Sequence, residues 1–253
     1  SVASGREVHG IPGTMMATMG VNDRQQLADL NRLIQRKRRS ALMDRGVTLV
    51  DPDTVYLNGR HLEIHPDTII EPHVTLNGPI SIEPNVRVGF GCHLTNVVIG
   101  EYSVIKPYTV AESAIVGRDA QIGPFTRLRP GTELSDTTHV GNFCEIKNAS
   151  VAEGSKINHL SYVGDAIIGR RVNIGAGTIT CNYDGTSKHQ TTLGDDVFIG
   201  SNTSLVAPIT LGDKATTGAG SVITNDVESQ NLALARIKQI NIPGYQRPKK
   251  TKG

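Results

Sequence analysis

The sequence predicts an all-β fold, a solenoid of short strands stacked coil upon coil. Three features predict it: an aliphatic residue at every sixth position over long stretches, a glycine that repeatedly follows that aliphatic, and a shortage of rings. Aromatic residues make up 4% of the 253 residues and tryptophan is absent, against 27 glycines. A core normally draws much of its buried area from rings. Here the many valine, isoleucine and threonine residues imply a core of repeated small and β-branched positions instead.

The aliphatic register is explicit. One run is Ile64, Ile70, Leu76, Ile82, Val88, and a second is Val104, Val110, Val116, Ile122, Leu128, Leu134, Val140, Ile146. Shorter runs follow: Val151, Ile157, Val163; then Ile168, Ile174; then Leu193, Ile199, Leu205, Leu211, Thr217, Ile223. Glycine follows at Gly117, Gly123, Gly141, Gly164, Gly175, Gly200 and elsewhere. A period of six suits neither a helix nor a long alternating strand. It suits a prism whose flat faces are short strands, each sending one aliphatic inward before a turn. Glycine serves at corners because it takes left-handed backbone angles at little cost. Three hexads close one triangular coil, so about 160 residues give about nine coils at strand spacing. A β-sandwich would place its turn signals every 8–12 residues or so, which this sequence does not do.

The longest interruption of the register, Gly175 to Thr192, is polar and rich in Gly, Asn and Asp. It reads as an excursion from the stack, and loops on rigid scaffolds are where function concentrates. The ends read differently. Residues 1–21 show no period. Residues 22–46 form a helical arm, with Leu27, Leu30, Ile34, Ala41 and Leu42 on one face, Asn22 or Asp23 as cap and Gly46 as stop. The solenoid is assigned to residues 47–228. Residues 229–253 form a C-terminal segment, helix or loop over 231–240, ending in a basic tail that is expected to be disordered.

Composition narrows the function classes. A net charge of +2 gives no reason to expect nucleic acid, and the run Arg36-Lys-Arg-Arg39 reads as a solvated helix face. No apolar run approaches a membrane span and no secretory signal pattern is present, so the expectation is a cytoplasmic protein without membrane partners. Cys92, Cys144 and Cys181 are too few and too scattered for a disulfide framework or a structural zinc site.

Within the hexads, four segments are more specific: Gly123-Pro-Phe-Thr-Arg-Leu-Arg-Pro-Gly131, Val140-Gly-Asn-Phe-Cys-Glu-Ile-Lys147, Asn158-His-Leu-Ser-Tyr-Val-Gly-Asp165 and Asn173-Ile-Gly-Ala-Gly-Thr-Ile-Thr-Cys-Asn-Tyr-Asp-Gly185. They closely resemble the acetyltransferase part of the bifunctional bacterial N-acetylglucosamine-1-phosphate uridyltransferase and glucosamine-1-phosphate acetyltransferase family. The resemblance covers nearly the whole solenoid. It implies a left-handed helix, a homotrimer with active sites between subunits, and N-acetylation of glucosamine-1-phosphate by acetyl-CoA on the way to UDP-N-acetylglucosamine. The family's nucleotidyltransferase domain, with its Gly-rich loop, has no counterpart here, so uridyl transfer is expected to be absent. Asn22 matches a metal-binding asparagine of that domain, where Mg2+ would act, but the other ligands of that site are missing.

By motif position the resemblance assigns His159 as general base, with Glu145 as a candidate for orienting it. Arg129 and Lys147 match cations for the substrate phosphate, a fork and a point charge. Tyr162, Asn173 and Asn182 match sugar-binding positions. Ala176, Asn182, Tyr183, Ser201, Ala219 and Arg236 match the acetyl-CoA groove, Ser201 being a candidate oxyanion donor. Cys181 is chemically able to carry an acyl group, but an amine freed by His159 needs no covalent relay, so direct attack is preferred. Two alternatives stand beside this reading: a related acetyltransferase with another amino sugar as acceptor, and a non-enzymatic solenoid scaffold.

Overall fold

A computed structural model describes residues 9–13 and 20–247. Met15, Met16, Met19 and the tail from Pro248 to Gly253 lie outside the described residues. Over the described residues the fold is all-β with a helical arm, α1 (Arg24–Met43), ahead of a parallel β-solenoid. One face is a sheet that steps through 11 strands from Thr48–Leu49 to Leu232–Ala233, each strand pairing with the next coil's. The other two faces share a second sheet, because strands such as Glu145–Val151 and Tyr162–Ile168 run from one face to the next. At that bend Asn148 and Asp165 take left-handed angles, with φ of 45° and 48°. Asn and Asp are the non-glycine residues that tolerate this best.

The inward column is almost the aliphatic register itself. Ile70, Leu76, Ile82, Val88, Ile122, Ile146, Ile157, Val163, Ile199 and Leu205 are at most 1% exposed. Val104 and Val110 depart from the expectation: Ile105 and Ala111 are buried in their place, and Val110 is 44% exposed. Most coils repeat after 17 or 18 residues, as the hydrogen bonds between equivalent positions record. In a 17-residue coil one face is a residue short, so the inward column steps by five, from Leu94 to Ile99 and from Ala111 to Val116. Counting back by six from Val116 misses that step.

Corners carry a second column that the hexad does not reveal. Thr109, Thr126, Ser161, Thr178, Thr203 and Ser221 are buried at one of them. Hydroxyls here satisfy carbonyls of the corner, as in Thr126 Oγ1 to Gly141 O at 2.6 Å. Cys92 and Cys144 occupy the same column, donating Sγ–H to Lys106 O and Ile157 O at 3.2 Å. Burial pushes the Cys92 thiol up to about 11, which marks it as a packing residue rather than a nucleophile.

Asp23 caps α1, its carboxylate accepting from Gln26 N at 2.8 Å, and Gly46 with φ of 90° turns the chain into the first coil. The docked face is only partly the aliphatic one expected: Leu42 is buried and Leu30 and Ile34 are half-buried. Leu27 is 55% exposed and Ala41 is exposed, whereas the polar Gln35 and Arg39 are buried beside Leu42. The arm covers the open end of the solenoid, where the first strands present unpaired backbone groups that only polar side chains satisfy. Gln35 accepts from Leu57 N at 2.9 Å and donates to Leu57 O at 3.0 Å, and Arg39 pairs with Asp53 at 3.2 Å. Arg38 also donates to Leu57 O, so the basic run is a divided face: Arg36 and Lys37 are exposed, Arg38 and Arg39 face the first coil.

Replacing Gln35 by Ala strands the Leu57 N–H and is expected to cost about 2 kcal/mol in urea unfolding. Arg36→Ala, on the exposed side, is the control expected to change little. Equal midpoints for the two variants would contradict the polar docking.

Candidate active site

Stacking turns distant residues into columns. Asn142 pairs with His159 across adjacent coils. Backbone bonds then link His159 O to Gly177 N, Ala176 O to Asn202 N, and Ser201 O to Gly220 N. His159, Ala176, Ser201 and Ala219 therefore lie on successive coils along one corner. Arg236 closes the column by donating to Ala219 O at 2.6 Å. Close coil stacking along this corner requires glycine: a Cβ on Gly175 would sit 2.6 Å from Ser201 N.

His159 is exposed at the end of the strand Lys156–His159. Its Nδ1–H donates to Asn142 Oδ1 at 3.1 Å, which leaves the Nε2 lone pair toward solvent. Glu145 does not orient it. Its carboxylate is instead taken by Arg129, Oε1 to Nη1 at 2.8 Å, one coil below. The residue expected to steady the imidazole steadies the guanidinium, and Asn142 holds the imidazole.

Arg129, Glu145, Lys147 and Tyr162 share the outer surface of the face that follows the His159 corner, in neighbouring coils. The Tyr162 ring lies along that face over Gly164, where a Cβ would meet its hydroxyl at 2.4 Å. Asn182 marks the face's far corner. It is buried and donates to Tyr162 Oη at 3.4 Å and to Asp165 Oδ2 at 2.5 Å. Asp165 also accepts from Asn148 at 2.6 Å, so an Asn148–Asp165–Asn182 ladder edges the face. Asn173 lies on the neighbouring face, paired with Lys156 and Phe198, on the other side of the His159 corner. The candidate residues thus divide into a corner column, a cationic face and one residue around the bend.

The excursion is shorter than the broken register suggests. Ile179–Cys181 is still solenoid strand, pairing with Ser204–Val206, and Thr180 continues the inward column. The chain leaves at Asn182 and returns at Thr191–Leu193, making that coil 25 residues long. Between them a small hairpin is closed by an antiparallel Tyr183–Lys188 bridge around Asp184-Gly185, a hairpin turn signal. Cys181 stands at the foot of this hairpin and is half-buried.

The hairpin brings in a cation that the motif reading missed. The Lys147 amine lies close enough to Lys188 that its contact and like charge hold the Lys188 pKa below the ordinary lysine value. Asp165 and Tyr162 pull in the opposite direction. Lys147 and Lys188, with Arg129 one coil below, make a concentration of positive charge with Asp165 as counter-charge. Such a cluster suits a doubly charged anion. The excursion belongs to no hexad, so nothing in the repeat assigns Lys188 a neighbour.

Asn22 bonds only within its own turn, to Gln26 Oε1 from both N and Nδ2, at 2.8 and 3.3 Å. Among the described residues no group of three His, Cys, Asp or Glu side chains converges on a metal position, and the surroundings of Asn22 do not fit one. No helix among them is long and apolar enough to cross a membrane.

Comparison with known proteins places this geometry. The family described as GMPPB C-terminal domain matches residues 59–142, and the hexapeptide repeat of succinyl-transferase matches residues 190–225. The chain is similar to the bifunctional protein GlmU of Aromatoleum aromaticum, 49% identical over all 253 residues and 55% of the relative's length. It is 50% identical to GlmU of Acinetobacter baylyi over the whole chain and 56% of that protein. It is 55% identical to GlmU of Marinobacter nauticus over 91% of the chain and 51% of that protein. The chain spans about half the length of the curated relatives it matches.

The Lys147–Lys188 contact has a pH signature. Because a neighbouring ammonium disfavours the charged form, Lys188 loses its proton at lower pH than an ordinary lysine. In competitive labelling with an amine-selective reagent, Lys188 should therefore react earlier as pH rises. Lys147→Ala should move its titration upward. An unchanged Lys188 profile in that variant would refute the contact.

Proposed function

We infer that this chain, a homologue of the bifunctional GlmU proteins along its whole length, is an acyltransferase that moves the acetyl group of acetyl-CoA to the amine of glucosamine-1-phosphate. The observation that carries this reading is His159, held through Nδ1 by Asn142 with Nε2 free, at the edge of a face that ends in Lys147 and Lys188. A base at one side and a phosphate-sized cationic cluster at the other suit an amino sugar phosphate. The face is about three residues wide, on the order of 10 Å by strand rise, a span of hexose-phosphate size.

In this reading His159 Nε2 takes the proton of the sugar ammonium. The freed nitrogen attacks the thioester carbonyl, an N–C bond forms, the C–S bond breaks, and the CoA thiolate leaves to be protonated. A neutral imidazole suits that transfer near pH 7. Arg129, steadied by Glu145, and Lys147 and Lys188 hold the phosphate, while Tyr162 and Asn182 meet sugar hydroxyls. Asn173 reaches the same sugar from around the corner. The acyl-CoA arm follows the column above His159, where Ala176 and Ala219 leave room for pantetheine and Ser201 faces the carbonyl oxygen. Arg236 takes the far end of the cofactor, with Tyr183 and Asn182 from the hairpin. Cys181 takes no part.

Release of free thiol from acetyl-CoA in the presence of glucosamine-1-phosphate tests the activity directly. His159→Ala should lower turnover by about 10²–10⁴-fold, the usual worth of a general base, with acetyl-CoA binding retained. Cys181→Ser should keep wild-type turnover. Full activity in the His159 variant, or an acetylated enzyme lost with the thiol, would reverse the assignment.

The left-handed winding and the homotrimer belong to the same reading. It is supported by an exposed ladder of rings along the His159 corner. Tyr108, Phe125 and Phe143 stack at centroid spacings of 5.0 and 5.4 Å, each about half exposed, and Leu160 continues the line. Such a stripe calls for a partner surface, and three prisms packed about one axis would cover it by closed symmetry. Light scattering should give three times the 27.1 kDa chain mass, and a monomer that turns over would defeat the trimer.

A further inference from the structure

The hairpin at Asn182–Gln190 is held more tightly than its exposure suggests, and the contacts converge on one carboxylate. Asp184 Oδ1 accepts from Thr186 N at 2.8 Å and Ser187 N at 2.7 Å, and Asp184 Oδ2 accepts from His189 Nε2 at 2.6 Å. The base of the hairpin is closed by His189 N donating to Asn182 O at 2.8 Å, and its tip by Tyr183 Oη donating to Gly185 O at 2.6 Å. These bonds hold the Asp184 carboxyl far below the usual carboxylate range, the Ser187 N–H first and the His189 contact next.

Lys188 sits between the residues that make these contacts. His189 is turned onto Asp184, whereas Lys188 bridges Tyr183 through its backbone and feels the charge of Lys147. Neighbouring residues of an extended segment point to opposite sides, so fixing His189 against Asp184 fixes the direction of Lys188. A lysine ammonium on a free loop would move away from a like charge and toward water. The Asp165 carboxylate draws Lys188 toward this face by its charge, and the His189–Asp184 clasp is placed to limit how far the hairpin that carries Lys188 swings away before an anion arrives. Holding the cations together in advance removes a loop-ordering cost from binding.

We propose that Asp184 and His189 are positioning residues for the acceptor: their 2.6 Å contact sets the hairpin so that Lys188 is presented with Lys147 to the phosphate. The proposal rests on the acetyltransferase reading for the identity of that phosphate. It assigns neither residue a contact with the sugar or with acetyl-CoA.

The test is steady-state kinetics with acetyl-CoA and glucosamine-1-phosphate on His189→Ala, with Lys188→Ala as reference and His189→Gln as the conservative variant, whose amide can still donate to Asp184. His189→Ala should raise KM for glucosamine-1-phosphate about tenfold, the scale of one charge-assisted contact, and leave kcat and KM for acetyl-CoA near wild type. His189→Gln should recover most of the loss. The double variant Lys188→Ala, His189→Ala should be no worse than Lys188→Ala alone, because the clasp acts only through Lys188. Unchanged acceptor KM in His189→Ala, a fall in kcat or rise in acetyl-CoA KM instead, or additive losses in the double variant would overturn the proposal. Calorimetric titration of each variant with glucosamine-1-phosphate reads the same effect without turnover. An inactive wild type that binds the sugar phosphate would sink the catalytic reading and leave the clasp to stand or fall on affinity. Equal affinities for wild type and His189→Ala would sink the clasp.

Discussion

Everything in this molecule depends on the stacking of equivalent residues one coil apart. Each coil is bonded to the next through parallel backbone ladders, and neighbouring strands stand about 4.8 Å apart. A residue therefore has its chemical neighbours one coil away, 17 or 18 positions in most of the stack and 25 across the excursion, as well as beside it in sequence. The same constraint produces the core, where aliphatic meets aliphatic, and the corner where Ala176 lies above His159 and Ser201 above Ala176. It also dictates size. Where coils approach closely, as at Gly175 under Ser201, no Cβ fits.

What a sequence discloses about such a fold follows from that constraint. The aliphatic period, the solenoid and the helical arm were legible because every coil repeats the same burial demand. The failures came where the demand changes without altering composition. One missing residue on one face shifts Val104 and Val110 outward, and a valine reads equally well in or out. The docked face of the arm is only half legible from aliphatic spacing, because Leu42 is buried but the end of the solenoid also needs donors and acceptors, which Gln35 and Arg39 supply. Cys92 and Cys144 looked scattered until they fell into the corner column that serine and threonine otherwise fill.

For the site, the motifs gave residue types and the stacking supplied their neighbours. Arg129 and Lys147 fall on one face because they are 18 residues apart in an 18-residue coil. Glu145 is by motif a candidate for orienting His159, but a side chain on a face meets its neighbours on that face before it reaches around the corner, and Arg129, diagonally across the face in the coil below, takes its carboxylate. Asn142, directly under His159, is the residue that geometry selects. Lys188 could not be found this way at all, since a residue off the stack has no equivalent one coil below.

Among the described residues the excursion is therefore where the solenoid departs furthest from its own regularity. A prism face of this width offers two or three outward side chains per coil, all pointing away in parallel, which makes converging charges hard to build. Arg129 and Lys147 share a direction but cannot close on an anion from opposite sides. A hairpin that leaves at the far corner and folds back adds the missing direction, and Lys188 approaches Lys147 from outside the stack. Two like charges brought together repel, so the hairpin has to be rigid where it carries the charge. The three hydrogen bonds on Asp184 and the bridge at Tyr183 supply that rigidity without a hydrophobic core. The insertion costs the stack little, because the chain returns at Thr191 to the column it left and the ladder continues unbroken from Ile168–Leu193 to Leu211.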